Sequence, residues 1–258
     1  MLLVMDVGNS NTVMGLYKGD DLLGHWRVCT DNYRTLDELR FLLGMLLDHE
    51  GVSLQSVRGC CISSVVPQLN FDLMRVSEQV FGVEAVMVGP GTKTGLIIQV
   101  ENPKEVGADR IVNAVAAIED YRGAIIVIDF GTATTLDAIT AKAEYRGGVI
   151  LPGVQTSADA LAEKCAKLPR VEISVPASVI GRNTEDHIRS GLTFGYADMI
   201  DGLVDRFEKE MGAEPVVVAT GGLAHTIAAV SRRIQHVDSL LTLKGLKAVY
   251  RRNEKGAA

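Results

Sequence analysis

Several familiar signatures are missing from this 258-residue chain. No apolar run approaches the roughly 18 residues that a membrane helix needs, so no membrane span is expected. The opening Met1 to Met5 (MLLVM) is apolar, but it is too short for a secretory leader, follows no basic region and is cut off by Asp6, which points to a cytoplasmic protein. The four cysteines, Cys29, Cys60, Cys61 and Cys165, show no CxxC spacing and fall in runs that read as strand or helix core. Buried thiols, not metal ligands or disulfides, are expected. Basic clusters are nearly absent, with only Arg251 and Arg252 adjacent in the tail, and the net charge is -6. That balance argues against a nucleic-acid partner, which demands clustered Lys and Arg to neutralise phosphate. The Walker pattern GxxxxGK[ST] and the dinucleotide fingerprint GxGxxG are both absent. His25, His49, His187, His225 and His236 have no ligand spacing, so solvent-facing or core roles are their default.

What is present is a pattern that occurs twice. Met1 to Met5 and Val13 to Tyr17 are short apolar runs around a polar turn, which predicts a hairpin. Leu36, Leu39, Leu42, Leu43, Leu46 and Leu47 recur at helical spacing, and Cys60 to Val66 then reads as a strand ending at Pro67. A helix is expected over Phe71 to Phe81, a strand over Ala85 to Val88, and an Ala-rich amphipathic helix over Asp109 to Tyr121. Ala124 to Asp129 and Leu136 to Ile139 then repeat the opening hairpin. Helices near Ser157 to Cys165 and Thr184 to Phe207, a strand over Pro215 to Ala219 and a closing helix through Leu243 to Tyr250 complete the second half. No low-complexity linker separates the halves, so the boundary is expected near residue 117, giving segments 1–117 and 118–258.

The two turns align as Asp6-Val7-Gly8-Asn9-Ser10-Asn11-Thr12 and Asp129-Phe130-Gly131-Thr132-Ala133-Thr134-Thr135. Each has an Asp closing a strand, a Gly two residues later, then small hydroxyl or amide side chains. A phosphate held without a P-loop lysine needs this set: a glycine where backbone approaches closely, with hydroxyl and amide donors around it. A carboxylate at the strand end suits a cation that bridges phosphates. One such turn alone is ordinarily a hairpin loop; two in register, with a third Gly turn at Ala219-Thr220-Gly221-Gly222, favour a nucleotide site. Asp109, before a long helix, reads from its position alone as a cap or first-turn acid that favours the helix dipole. Thr184, in Asn183-Thr184-Glu185-Asp186, reads as a helix cap.

The motifs DVGNSNT at Asp6, KTGL at Lys93, NPKEVGADR at Asn102, IDFGTATT at Ile128, GGVILPG at Gly147, GRNTEDHIRSG at Gly181, ATGG at Ala219 and LTLKGL at Leu241 span nearly the whole chain in order. Together they resemble the type III pantothenate kinases, of the acetate-kinase, sugar-kinase, Hsp70 and actin superfamily. The resemblance implies an α/β fold of two actin-like (ribonuclease H-like) lobes, each a mixed sheet with flanking helices, with a nucleotide cleft between them. It implies ATP-dependent phosphorylation of pantothenate, the first step toward coenzyme A, by a homodimer that uses Mg²⁺ and a monovalent cation, K⁺ or NH₄⁺.

By the same resemblance, Asp109 accepts the proton of pantothenate's hydroxyl, with Gly107, Ala108 and Arg110 around the substrate and Thr184 and position 100 in contact with it. Asp6, Val7, Gly8, Asn9, Ser10, Asn11, Thr12 and Val13 form the phosphate cradle, Asp6 lying next to Mg²⁺. Thr132, Gly221 and Gly222 face the nucleotide from the second lobe, and Asp129 ligates the monovalent cation. The family usually carries a tyrosine shortly after KTGL, whereas this chain has Val100, which supplies no phenol. Another small-molecule kinase of the superfamily and a non-catalytic nucleotide-binding regulator are the competing readings. The acid at Asp109 beside Arg110 favours chemistry over regulation.

Overall fold

The apolar runs of the sequence form two separate sheets in the computed structural model, which describes residues 1–31 and 33–254. The first contains β1 (Leu2–Val7), β2 (Asn11–Lys18), β3 (Asp21–Cys29), β4 (Gly59–Ser64) and β5 (Ala85–Met87), in the order β3-β2-β1-β4-β5. β1 to β3 form an antiparallel meander, while β4 runs parallel to β1. A parallel neighbour needs a crossover. Here it is made by α1 (Leu36–His49), and α2 (Asn70–Val76) with a π-helical turn at Ser77–Phe81 leads on to β5. Thr35 starts α1 with a capping box: its hydroxyl accepts from the Glu38 N–H at 3.3 Å, and its own N–H donates to Glu38 Oε2 at 2.7 Å. Leu43 and Leu47 bury the inner face of α1 against Leu3, Met5, Cys60 and Ile62.

The second sheet contains β6 (Ile97–Ile98), β7 (Ile125–Phe130), β8 (Ala133–Ile139), β9 (Glu144–Pro152), β10 (Val216–Gly221) and β11 (His236–Val237), in the order β11-β10-β7-β8-β9-β6. Without β6, its topology matches that of the first sheet: a three-stranded meander, then two parallel strands reached through helices. The repeat is therefore a whole lobe, longer than the hairpin seen in the sequence. α3 (Ala108–Asp120) lies between β6 and β7 in the chain, and α4 (Val154–Lys164), α5 (Thr184–Met211) and α6 (Ala224–Ala228) belong to the same half as this sheet. Ile126, Ile128, Phe130, Val217 and Ala219 of the sheet share a core with Ala158, Ile188, Leu192 and Ile200 of the helices.

The chain divides into two compact units, residues 1–95, 101–116 and 241–254 in one, residues 96–100 and 117–240 in the other. This differs from an uninterrupted 1–117 and 118–258 for a physical reason. The closing helix α7 (Leu241–Asn253) packs against β1, β4 and β2 of the first sheet, burying Leu243, Leu246 and Val249. Gly245 lets α7 approach closely, because a Cβ there would run into the Val112 carbonyl. Asn253 then holds the KTGL segment, accepting from the Lys93 N–H at 2.9 Å and donating to its carbonyl at 2.9 Å. In the other direction, β6 adds to the second sheet beside β9, with the Gln99 N–H donating to the Tyr145 carbonyl at 2.8 Å.

Two local expectations change. The cap of α5 is Asn183, not Thr184: Asn183 is extended (φ −141°) and its side chain accepts from the Asp186 N–H at 2.9 Å, leaving Thr184 as the first helical residue. Of the four cysteines only Cys60 and Cys61 are buried. Cys29 ends an edge strand whose residues alternate outward, and Cys165 follows the last turn of α4, so both are exposed. On α4, Ala158 and Leu161 both pack into the second core.

Candidate active site

The first Gly turn is fixed by backbone and by a residue outside its motif. The Gly8 N–H donates to the Asn11 carbonyl at 3.0 Å, and a Cβ on Gly8 would meet that oxygen at 3.0 Å. Thr30, just past the end of β3, donates to the Gly8 carbonyl at 2.7 Å, lies 2.9 Å from the Thr12 hydroxyl and gives its N–H to the Ser10 carbonyl at 3.0 Å. Asn9 and Ser10 stand exposed at the tip, while Val7 and the β2 strand that begins at Asn11 anchor the two sides. Val13 pairs with Asp6 in the hairpin register. The result is a turn whose backbone is held and whose Asn9, Ser10 and Asn11 side chains are exposed. Thr30 was invisible to motif reading because β3 carries no repeat of the Asp-Gly pattern.

Asp6 sits at the C-terminal end of β1, opposite Ser63 of β4, whose hydroxyl donates to Asp6 Oδ1. On the same unit, α3 begins at the GADR motif. The Gly107 carbonyl accepts the first helical bond, from the Ile111 N–H at 3.2 Å, so Asp109 lies in the first turn. Its Oδ1 accepts from the Arg110 N–H at 2.8 Å and lies 2.5 Å from where a Cβ on Gly107 would stand, so glycine leaves this space for the carboxylate. Burial pushes the Asp109 carboxyl above its ordinary 3.8, and the Arg110 N–H and guanidinium only partly oppose that. Ala108 and Arg110 are half-buried beside it. The preceding NPKE stretch is a short 3₁₀ turn, Pro103–Glu105, whose Asn102 cap accepts from the Lys104 N–H at 3.3 Å and donates to Glu105 Oε1 at 2.6 Å. That turn sets the direction from which the chain enters α3.

The second unit repeats the first turn. Asp129 ends β7 one residue before Phe130, and the Gly131 N–H donates to the Ala133 carbonyl at 3.1 Å. Thr132 is exposed at the tip, and its carbonyl accepts from the Gly153 N–H at 3.1 Å and the Thr156 hydroxyl at 2.7 Å. Gly153, the last residue of GGVILPG, is required there because a Cβ would lie 2.5 Å from the Gly131 carbonyl. Gly221 adopts φ +94° and leaves no room for a Cβ, which would stand 2.7 Å from Asp129 Oδ1. Gly222 follows it, exposed. The buried hydroxyls of Thr134 and Thr135 have no hydrogen-bond partner among the described residues, and Thr135 pairs with Asp129 across the hairpin. Val100 belongs to this unit, its Cγ1 3.5 Å from where a Cβ on Gly147 would be, and Thr184 opens α5.

Two turns of one design, a half-buried acid at a helix start and an orphaned hydroxyl across from a second acid are groups suited to phosphate chemistry. Comparison with known proteins agrees. The chain is similar over 97% of its length to 98% of a Baf family protein from Campylobacter jejuni (TM-score 0.64, 19% identity). It is similar over 98% of its length to 96% of MreB 5 of Spiroplasma citri (TM-score 0.57, 10% identity), so the fold is the actin-like one. It is 52% identical over 255 residues, 99% of this chain and all of the relative, to a type III pantothenate kinase from Exiguobacterium sp. (strain ATCC BAA-1283 / AT1b). With the model of that family also matching residues 2–206, the chain belongs to the type III pantothenate kinases.

Proposed function

We infer that this protein transfers the γ-phosphoryl group of ATP to the primary hydroxyl of pantothenate, in the cytoplasm, as the entry to coenzyme A synthesis. The observation that carries the reading is Asp109, a carboxylate at the start of α3 whose burial raises its affinity for a proton. In a loose phosphoryl-transfer transition state the nucleophile loses its proton late. Asp109 first accepts a hydrogen bond from the pantothenate hydroxyl, orienting its oxygen, and then takes the proton as the new P–O bond forms and the bond to the ADP oxygen breaks. Gly107 and Ala108 keep the space around that carboxylate, and Arg110 supplies the positive charge beside the substrate. We assign Val100 and Thr184 to contact with pantothenate. Valine at position 100 makes that contact apolar.

The turn from Asp6 through Val13 holds the ATP phosphates through backbone N–H groups and the exposed Asn9 and Ser10. Asp6, a single carboxylate at the strand end, fits Mg²⁺, which takes one or two carboxylates and fills its remaining positions with water and phosphate oxygens. When bound, Mg²⁺ neutralises charge on the phosphates. In the second unit Asp129, with the orphaned hydroxyl of its register partner Thr135 on the same face of the sheet, offers oxygen donors that fit a monovalent cation. On that unit Thr132 and the Gly221-Gly222 turn keep the nucleotide-facing roles that the family pattern implies. We also propose a two-fold homodimer formed through the second unit, where Ile150, Val179 and Ile180 are 63%, 62% and 82% exposed.

A coupled assay of ADP release tests the activity. Pantothenate should be phosphorylated in the presence of Mg²⁺ and K⁺, while acetate and a panel of sugars are not. ATP turnover with a sugar in preference to pantothenate would overturn the substrate assignment.

A further inference from the structure

Ser63 is a buried hydroxyl that follows an apolar run in β4. It is 0% exposed, as are Cys60, Cys61 and Ile62 before it in β4. A hydroxyl taken out of water costs stability unless it is hydrogen-bonded, and here the acceptor is ionisable: Ser63 Oγ donates to Asp6 Oδ1. The pairing is imposed by the sheet, because β1 and β4 are parallel with Asp6 and Ser63 as register partners, and 57 residues of sequence separate the two. Next to it, the Val65 N–H donates to the Val7 carbonyl at 3.0 Å and Ser64 Oγ accepts from the Val66 N–H at 3.1 Å, so the backbone carrying Ser63 is anchored where β4 ends.

The same placement recurs in the second sheet. Thr220 of β10 is the register partner of Asp129 across parallel strands and is 2% exposed. In both units, then, the acid that closes the first strand has a buried hydroxyl residue beside it on the parallel neighbour. A repeat that preserves a polar residue at a buried position, where any small apolar residue would pack, points to a task involving the acid.

We propose that Ser63 is a positioning residue for phosphoryl transfer, its hydroxyl holding the Asp6 carboxylate in the rotamer that receives Mg²⁺-bearing phosphates. The proposal rests on the reading of Asp6 given above. A charge-assisted hydrogen bond from a hydroxyl fixes a carboxylate's orientation. Ser63 touches neither substrate nor cation. Its effect reaches them only through Asp6.

Ser63→Thr and Ser63→Val test this, because the two side chains have nearly the same shape and only the first retains the hydroxyl. Calorimetric titration with Mg·ATP, and with ATP in excess chelator, reads binding apart from turnover. Ser63→Thr should stay within about threefold of wild type, whereas Ser63→Val should bind Mg·ATP about tenfold or more weakly. Its affinity for metal-free ATP and its KM for pantothenate should be unchanged. Equal Mg·ATP affinities for the two variants would overturn the proposal. Should the larger side chains prevent folding, Ser63→Ala against wild type in the same titration decides by the same criterion. Asp6→Asn, run in parallel, separates the two claims. If it binds Mg·ATP as wild type does, the reading of Asp6 fails; if it loses binding while Ser63→Val keeps it, only the role of Ser63 falls.

Discussion

Asp109 shows how one residue can hold a structural and a chemical position together. A first-turn acid favours the positive end of the helix dipole, and its Oδ1 does accept the Arg110 N–H. Burial nevertheless dominates and raises the carboxyl above 3.8, so the folded protein holds the proton more tightly than the unfolded chain. An acid raised on folding costs stability wherever it is ionised in both states. The penalty is complete above the folded value and disappears as pH falls below 3.8. Asp109→Asn should therefore melt higher than wild type at neutral pH, and the two melting curves should converge on acidification. Its kcat should fall by at least the roughly 10² typical of acid–base groups. A lower melting temperature at neutral pH, or near-normal turnover, would contradict this account.

Elements are positioned here by close approaches that only glycine permits. α7 covers the face of the first sheet where Val4 and Gly15 lie, and Leu243 Cδ1 lies 3.0 Å from the point a Cβ on Gly15 would occupy. On its other side, Gly245 faces the Val112 carbonyl of α3, a backbone atom that cannot swing aside. Gly245→Ala should force the two helices apart at the cost of about 1 to 3 kcal/mol, the range for overpacking, although alanine is the better helix former by about 1 kcal/mol. Chemical denaturation reads the sum. Because α3 also carries Asp109, kcat should fall in the folded variant as well. A stabilised, fully active Gly245→Ala would show that the approach is not needed.

For the whole molecule, the proposed homodimer would cover exposed apolar residues of the second unit. Ile180 is 82% exposed in the segment before α5, and the buried hydroxyl of Ser190 on α5 donates to the neighbouring Val179 carbonyl at 2.5 Å, so this stretch is tied to the helix. A tethered apolar segment is suited to a partner surface. Ile180→Glu should shift the protein from dimer toward monomer in light scattering, and should raise KM for pantothenate more than KM for ATP. A wild-type protein that is monomeric and fully active at assay concentration would overturn the dimer.

The sequence by itself determined the hairpins, the helices at Leu36, Asp109 and Thr184, and the paired Asp-Gly turns, because each depends on local periodicity, turn chemistry or capping. It misjudged the cap of α5 by one residue, since Asn183 and Thr184 are both capping types and only the backbone angles choose between them. The edge strand β3 and the inner strand β9 escaped notice because most of their residues alternate between half-buried and exposed and include glycines, which leaves no compact apolar run. Only the tertiary structure decided which unit receives the closing helix and the short central strand: α7 joins the first unit and β6 the second, through contacts between residues far apart in sequence. It alone brought Thr30 to the Gly8 turn and Ser63 to Asp6. Side chains from separate strands meet through register, and register is set by the packing of whole sheets, not by any neighbour along the chain.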